Sequence, residues 1–159
     1  MSMRVGTGFD IHRLVENRKL ILGGVEVDSP RGLQGHSDAD VLLHAVGDAL
    51  LGAAGLGDLG RHFPSTDPQF KDISSREILR RVHAMLRDQG FRILNIDTTI
   101  IAEAPKLSVY LEAMRSGISE TLSLSSGQVN VKAKTHEGVD AIGHGDAIAA
   151  QAVAMIEKD

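Results

Sequence analysis

The chain has 159 residues, a net charge of −4, no cysteine, no tryptophan and only 3% aromatic residues. Disulfides and thiolate metal sites are excluded, and there is neither a basic stripe nor a set of stacking rings for nucleic acid. No stretch approaches the roughly 18 unbroken apolar residues of a membrane span, and Met1-Ser2-Met3-Arg4 lacks the apolar run of a signal peptide, so a cytoplasmic chain forming one domain over 1–159 is expected.

In chain order, Arg4 to Phe9 predicts a short opening strand. Lys19 to Val27 predicts one or two more, with Gly23-Gly24 as a bend or hairpin turn. A polar loop from Asp28 to Ser37 follows. Asp38 is placed as the N-cap of a helix to about Leu51, with Val41, Leu42, Ala45, Ala49 and Leu50 as its apolar stripe. The glycine-rich stretch from Gly52 to Pro64 reads as loop with short helical pieces. Ser74 and Glu77 fit a capping box ahead of a second helix that Gly90 stops. Phe91 to Ala102 is rich in β-branched residues and reads as a strand. Pro105 is expected to open a third helix, with Leu107, Tyr110, Leu111, Met114, Ile118 and Leu122 on one face. Val129 to Ala133 reads as a strand and Ala147 to Ile156 as a final helix. The fold class expected is α+β, a two-layer αβ sandwich whose mixed β-sheet carries helices on one face. One helical layer leaves the other sheet face in water, and self-association would bury it.

Asp10-Ile11-His12 is the first pattern with chemical content, because residues i and i+2 of an extended segment point to one side. With His44 from the helix, one carboxylate and two imidazoles suit zinc with a position left open. Asp40 and Asp48, one turn either side of His44, are each expected to be able to orient its ring. The alternative is that Asp10 caps a turn and His44 is a packed or solvated helix histidine. Gly35-His36-Ser37-Asp38 precedes a helix N-terminus, which favours anions, or is a plain cap. Lys132 to Glu137 gathers cations, a hydroxyl and a carboxylate at a strand end, or is simply solvated. Gly6-Thr7-Gly8 is no dinucleotide fingerprint, since the third glycine position is Ile11. His62 and His83 read as structural or surface residues.

Taken together, these segments resemble the 2-C-methyl-D-erythritol 2,4-cyclodiphosphate synthases of the non-mevalonate isoprenoid pathway. The resemblance rests on Gly6 to Arg13, Gly35 to His44, Asp48 to Ala53, Gly57 to Gly60, Phe63 to Pro68, Asp97 to Lys106, and Val129 to Thr135 with Glu137. It runs nearly end to end, and the blocks occur in the family's order.

The resemblance implies a metal-dependent lyase that closes 4-diphosphocytidyl-2-C-methyl-D-erythritol 2-phosphate into a cyclodiphosphate and expels CMP. It implies one zinc per subunit on Asp10, His12 and His44, and magnesium or manganese on Glu137. It implies His36 and Thr135 as stabilisers of the transition state. Substrate contacts are implied for Ser37, for Asp58, Leu59 and Gly60, and for Phe63, Pro64, Ser65, Thr66 and Asp67. Cytidine contacts are implied for Ala102, Glu103, Ala104, Pro105, Lys106, Leu107 and Ser108, and further contacts for Lys134, Thr135, His136 and Glu137. It also implies a homotrimer with active sites between subunits and an axial cavity near Ala141 and His144 that takes an isoprenoid diphosphate.

Two departures stand out. Ser65 replaces a common aspartate, and His144 replaces an arginine in the axial segment, where an imidazole is only partly charged at neutral pH. The competing readings are a non-haem iron oxygenase, which uses the same ligand set, and a non-catalytic trimer that binds an isoprenoid diphosphate.

Overall fold

The structure, a computed structural model, describes residues 2–158. Strands β1 (Ser2–Glu16), β4 (Arg31–Leu33), β5 (Phe91–Ile101), β6 (Val129–Lys134) and β7 (Ala147–Lys158) form one sheet in the order β4-β1-β7-β5-β6. All its pairings are antiparallel except β5 with β6, which are parallel, so the sheet is mixed as expected. Strands β2 (Leu20–Leu22) and β3 (Val25–Val27) make the small hairpin expected around Gly23-Gly24. Helices α1 (Val41–Ala54), α3 (Ser75–Asp88) and α4 (Leu111–Thr121) supply the helical layer, and α2 (Leu59–His62) is a single turn in the glycine-rich stretch.

Several boundaries differ from expectation. The opening strand is far longer than Arg4 to Phe9, and β4 lies inside the stretch read as loop. The α1 cap is Asp40 rather than Asp38. Asp38 instead accepts the backbone N–H of Ser75 at 2.9 Å and ties α1's approach to the start of α3. Ser74 caps α3 by position, but its side chain makes no capping bond, and Glu77 pairs with Arg80 and Arg81. The third helix begins at Leu111, not at Pro105.

The largest correction is Ala147 to Ile156, which is strand and not helix. Alanine's helix preference is a weak prior that tertiary packing overrides. Here β7 is the central strand, hydrogen-bonded to β1 on one side and β5 on the other. Ile148, Ala150, Ala152, Ala154 and Ile156 alternate onto the face that α1 covers, all 1% exposed or less. Small residues there let the helix sit close. Gly6 and Gly8 do the same on β1, where a Cβ at Gly8 would come within 1.9 Å of the Ala45 carbonyl oxygen.

Helix α1 is apolar nearly all round, with Leu42, Leu50 and Leu51 fully buried, as a helix enclosed by sheet and helices must be. Each such leucine contributes about 2 kcal/mol through burial. The Asp40 carboxylate is fully buried and accepts three backbone N–H groups, from Leu43 at 3.1 Å, Gly23 at 3.0 Å and Gly24 at 2.6 Å. It therefore fastens the β2–β3 turn to the helix that carries His44. An amide there turns N–H toward N–H at one of the three contacts. We expect Asp40→Asn to cost about 1–3 kcal/mol, read as a lowered urea midpoint with an unchanged slope.

The opposite sheet face is largely open. Met3, Val5, Phe9, Ile11 and Val153 are exposed, Phe9 to 58%. Among the described residues only the single-turn helix α5 (Asp140–Gly143) covers one end of it, packing Ile142 on Ala147 and Ala149 in a cluster separate from the main core.

Candidate metal centre and active site

Residues of β1 alternate between its two faces, and Gly6, Gly8, Asp10 and His12 fall on the α1 side. The glycines bring the strand against α1, so Asp10 and His12 meet His44, which sits one turn into that helix. Asp10 Oδ2 lies 2.9 Å from His12 Nε2 and 3.0 Å from His44 Nδ1. The three ligand atoms fall within 4.8 Å of one another.

Hydrogen-bond direction shows what this cluster is made to hold. His12 Nδ1 lies 2.6 Å from the Gln34 carbonyl oxygen, which can only accept, so that nitrogen carries the proton. The other ring nitrogen, Nε2, then offers a lone pair toward Asp10. A lone pair and a carboxylate facing one another need a cation between them, either a proton or a metal ion. The donor set therefore fits a divalent metal with borderline-soft ligands.

Electrostatics agree. Burial opposes ionisation of Asp10, but hydrogen bonds and charge from His12 and His44 outweigh it and hold the carboxyl far below the usual 3.8. Burial pulls His12 down, yet the bond to Asp10 outweighs it and raises the imidazole above 6.5. In metal-free protein the lowered Asp10 contributes stability above 3.8 that fades as pH falls toward its depressed value. The raised His12 contributes stability that is complete below 6.5 and fades as pH rises through its raised value. The two windows overlap between 3.8 and 6.5, where the pair stabilises most. A metal needs neutral imidazoles, so its binding near pH 6.5 should release a proton and weaken as pH falls. Calorimetry in buffers of different ionisation enthalpy reads that proton; enthalpies independent of buffer would contradict the assignment.

Neither carboxylate expected to orient His44 does so. Asp40 is occupied as the cap, and Asp48 accepts the Leu59 N–H at 2.8 Å. The outer nitrogen of His44 instead meets Ser75 Oγ at 2.9 Å and Ser37 Oγ at 3.2 Å. Ser75 was not among the residues singled out by sequence, because its contact depends on how α3 packs against α1.

A pocket of about 290 Å³ opens beside the cluster. Of the residues expected at the site, Asp10, His12, His36, Ser37, His44, Leu59, Gly60, Phe63 and Ser65 line it, joined by Asp48, Phe70 and Ile78. His36 Nε2 is buried without a hydrogen-bond partner among the described residues. Asp58 and Asp67 are used locally, accepting the backbone N–H of Arg61 and Gln69. Pro64, Thr66, Asp58 and Asp67 do not line this pocket. His62 is structural, bonded to the Leu56 carbonyl at 2.7 Å.

A second pocket of about 430 Å³ is lined by Ala102, Glu103, Pro105, Lys106, Leu107, Ser108, Lys134 and Thr135, with Leu111 and Ala133 added. Ala104 precedes Pro105 through a cis peptide bond and is not in that lining. Thr135 donates to Glu137 at 3.1 Å, and His136 pairs with Asp140 at 2.8 Å. The two pockets share no residue, so within one chain the structure does not bring Thr135 or Glu137 to the histidine cluster. Ala141 lies in α5 and His144 follows it, both exposed at the partly open face.

The profile of the YgbB family matches residues 3–157. A curated 2-C-methyl-D-erythritol 2,4-cyclodiphosphate synthase from Geobacillus kaustophilus is 57% identical, with 98% of each chain covered. Among solved structures, a bifunctional IspDF from Campylobacter jejuni superposes with a TM-score of 0.96 at 42% identity, covering 99% of this chain and 43% of that one. A CDP complex of IspF from Plasmodium falciparum gives a TM-score of 0.86 at 33% identity, covering 99% and 98%.

Proposed function

The chain belongs to the YgbB family, that of the 2-C-methyl-D-erythritol 2,4-cyclodiphosphate synthases, and on that premise we propose the reaction it runs. It converts 4-diphosphocytidyl-2-C-methyl-D-erythritol 2-phosphate to 2-C-methyl-D-erythritol 2,4-cyclodiphosphate. An oxygen of the 2-phosphate attacks the β-phosphorus, the bond from that phosphorus to the oxygen it shares with the α-phosphate breaks, and CMP leaves with that oxygen. Attacking and leaving groups belong to one molecule, so the protein supplies no nucleophile. Its work is to hold the substrate folded for in-line attack and to meet the charge that develops.

Asp10, His12 and His44 are assigned to zinc. When bound, the cation draws charge from a β-phosphate oxygen as a Lewis acid. His36 is assigned to a phosphoryl oxygen, which its ring would reach by turning the unpartnered Nε2 out of burial, and Thr135 to another, its hydroxyl proton, given to Glu137 at 3.1 Å in the free chain, being released when Glu137 takes a cation. Ser37 accepts the Ala39 N–H at 3.2 Å, which leaves its own proton free for the erythritol end. Leu59, Gly60, Phe63 and Ser65 wall that end, while Ala102 to Ser108 receive the cytidine. Glu137, an exposed carboxylate, is the residue that would hold magnesium or manganese, which would supply positive charge against the phosphates.

The observation that carries the reading is the convergence of Asp10, His12 and His44 in one pocket with His36 and Ser37. The test is incubation of zinc-loaded protein with the cytidylyl substrate and Mg²⁺. CMP and cyclodiphosphate should appear in equal amounts, and no CMP from fully metallated protein would reject the proposal. The relatives favour neither an iron oxygenase nor a non-catalytic binder.

The same proposal makes the working form a cytoplasmic homotrimer. The trimer is supported by the exposed row of Met3, Val5, Phe9, Ile11 and Val153, and by two pockets that share no residue within one chain. A monomer at sedimentation equilibrium would remove it. An isoprenoid diphosphate beside Ala141 and His144 completes the proposal.

A further inference from the structure

We infer that Ser75, itself held by Asp38, is a positioning residue that fixes His44 in the tautomer whose Nδ1 is free to bind metal. Ser75 is the first residue of α3 and is 1% exposed. Its Oγ lies against two groups, Asp38 Oδ1 and His44 Nε2, the latter at 2.9 Å.

The direction of each bond follows from what can donate. Both oxygens of Asp38 already accept backbone N–H groups, Oδ2 from Ser75 at 2.9 Å and Oδ1 from Asp40 at 3.2 Å. Asp38 thus acts as an acceptor, and the single hydroxyl proton of Ser75 goes to it. A hydroxyl that has spent its proton can only accept from its second neighbour, so His44 Nε2 carries the hydrogen and donates to Ser75 Oγ. Ser37 Oγ is the longer contact, 3.2 Å from the same nitrogen, and its hydroxyl, which also accepts the Ala39 N–H, can turn its proton into the pocket and accept from His44 as well. The ring proton is therefore drawn to the outside of the site, and Nδ1 keeps its lone pair toward Asp10 and His12.

The competing tautomer is a real threat to metal binding. Asp10 Oδ2 stands 3.0 Å from Nδ1, and a carboxylate is a stronger acceptor than a hydroxyl. Without Ser75 the proton would settle on Nδ1 and face Asp10, occupying the position that a metal ion needs. The Asp38–Ser75 pair thus plays on His44 the part that the Gln34 carbonyl plays on His12. Outer-sphere partners of this kind change metal affinity by about 10–100-fold.

The inference rests on the metal reading of Asp10, His12 and His44, but its first test needs no metal. Long-range ¹H–¹⁵N spectra of metal-free wild-type protein at about pH 8.5, where imidazoles are neutral, should show His44 protonated at Nε2. Protonation at Nδ1 would overturn the inference whether or not any variant folds. In Ser75→Ala the proton should move toward Nδ1, and zinc affinity from chelator competition should fall about 10–100-fold. Ser75→Thr keeps the hydroxyl and should keep both the tautomer and the affinity. Zinc binding by Ser75→Ala within about twofold of wild type, well short of the outer-sphere range, would overturn the role. Failure of wild-type protein to bind zinc would sink the metal assignment instead, and the metal-free spectrum would still decide the tautomer.

Discussion

Asp10→Asn is expected to lower turnover by about a thousandfold, the equivalent of several kcal/mol of charge stabilisation at a metal centre, while leaving the fold intact. Asp10 Oδ2 is the point at which both imidazoles converge, 2.9 Å from one and 3.0 Å from the other. An asparagine fills the same volume but brings no charge and a poorer ligand oxygen. A divalent ion held by two neutral imidazoles alone keeps its full charge in a partly desolvated pocket, and its affinity falls with that cost. The strand itself does not depend on this side chain, because β1 is paired through its backbone with β7 from Ser2 to Arg13. The variant should therefore show native circular dichroism, little zinc by elemental analysis, and low CMP release at saturating substrate. It should also lose the stability maximum expected between pH 3.8 and 6.5 for metal-free wild type. Full zinc content and an undiminished rate would remove Asp10 from the ligand set.

What the sequence made legible divides along the range of the forces involved. Asp10 and His12 were placed together because strand alternation is a local property, and the central part of α1 was recognisable from its apolar stripe. Phe91 to Ile101 announced itself as strand through its β-branched residues. Ala147 to Lys158 did not, because its alanines are chosen for the closeness of α1 and not for their own backbone preference. Its alternation of Ile148, Ala150, Ala152, Ala154 and Ile156 against Gln151, Val153 and Met155 was the available signal. The cap moved from Asp38 to Asp40 for a similar reason, since Asp38 is claimed by Ser75, 37 residues away. The metal cluster was suggested by residue type and spacing, whereas its hydroxyl support came into view only once α3 lay against α1. The division of the expected contacts between two pockets was likewise invisible from order along the chain.

That closeness of strand and helix makes Gly8→Ala the most damaging single methyl we can identify near the site. A Cβ at Gly8 would lie 1.9 Å from the Ala45 carbonyl oxygen and 2.8 Å from both the Ala45 carbonyl carbon and the Ala49 nitrogen. These are backbone atoms inside α1, so no rotamer change relieves the clash, and the whole helix must move off the strand. Overpacking of this kind costs about 3 kcal/mol or more when the obstacle cannot yield. The displacement also has a functional consequence, because Ala45 is the residue after His44 while Gly8 shares its strand face with Asp10. Pushing α1 outward pulls His44 Nδ1 away from Asp10 Oδ2, now 3.0 Å apart, and a metal ion cannot span a widened set of ligands at bonding distance. The expected result is a protein with a lower thermal midpoint and weakened zinc affinity together, and with zinc restoring less stability than it does in wild type. Gly52, in the same helix, has only the Thr7 carbonyl near its Cβ position, at 3.9 Å. Gly52→Ala should therefore be neutral or slightly stabilising through helix propensity, and it serves as the control. Equal thermal midpoints for the two alanine variants would show that β1 and α1 are not packed as closely as Gly8 and Ala45 require.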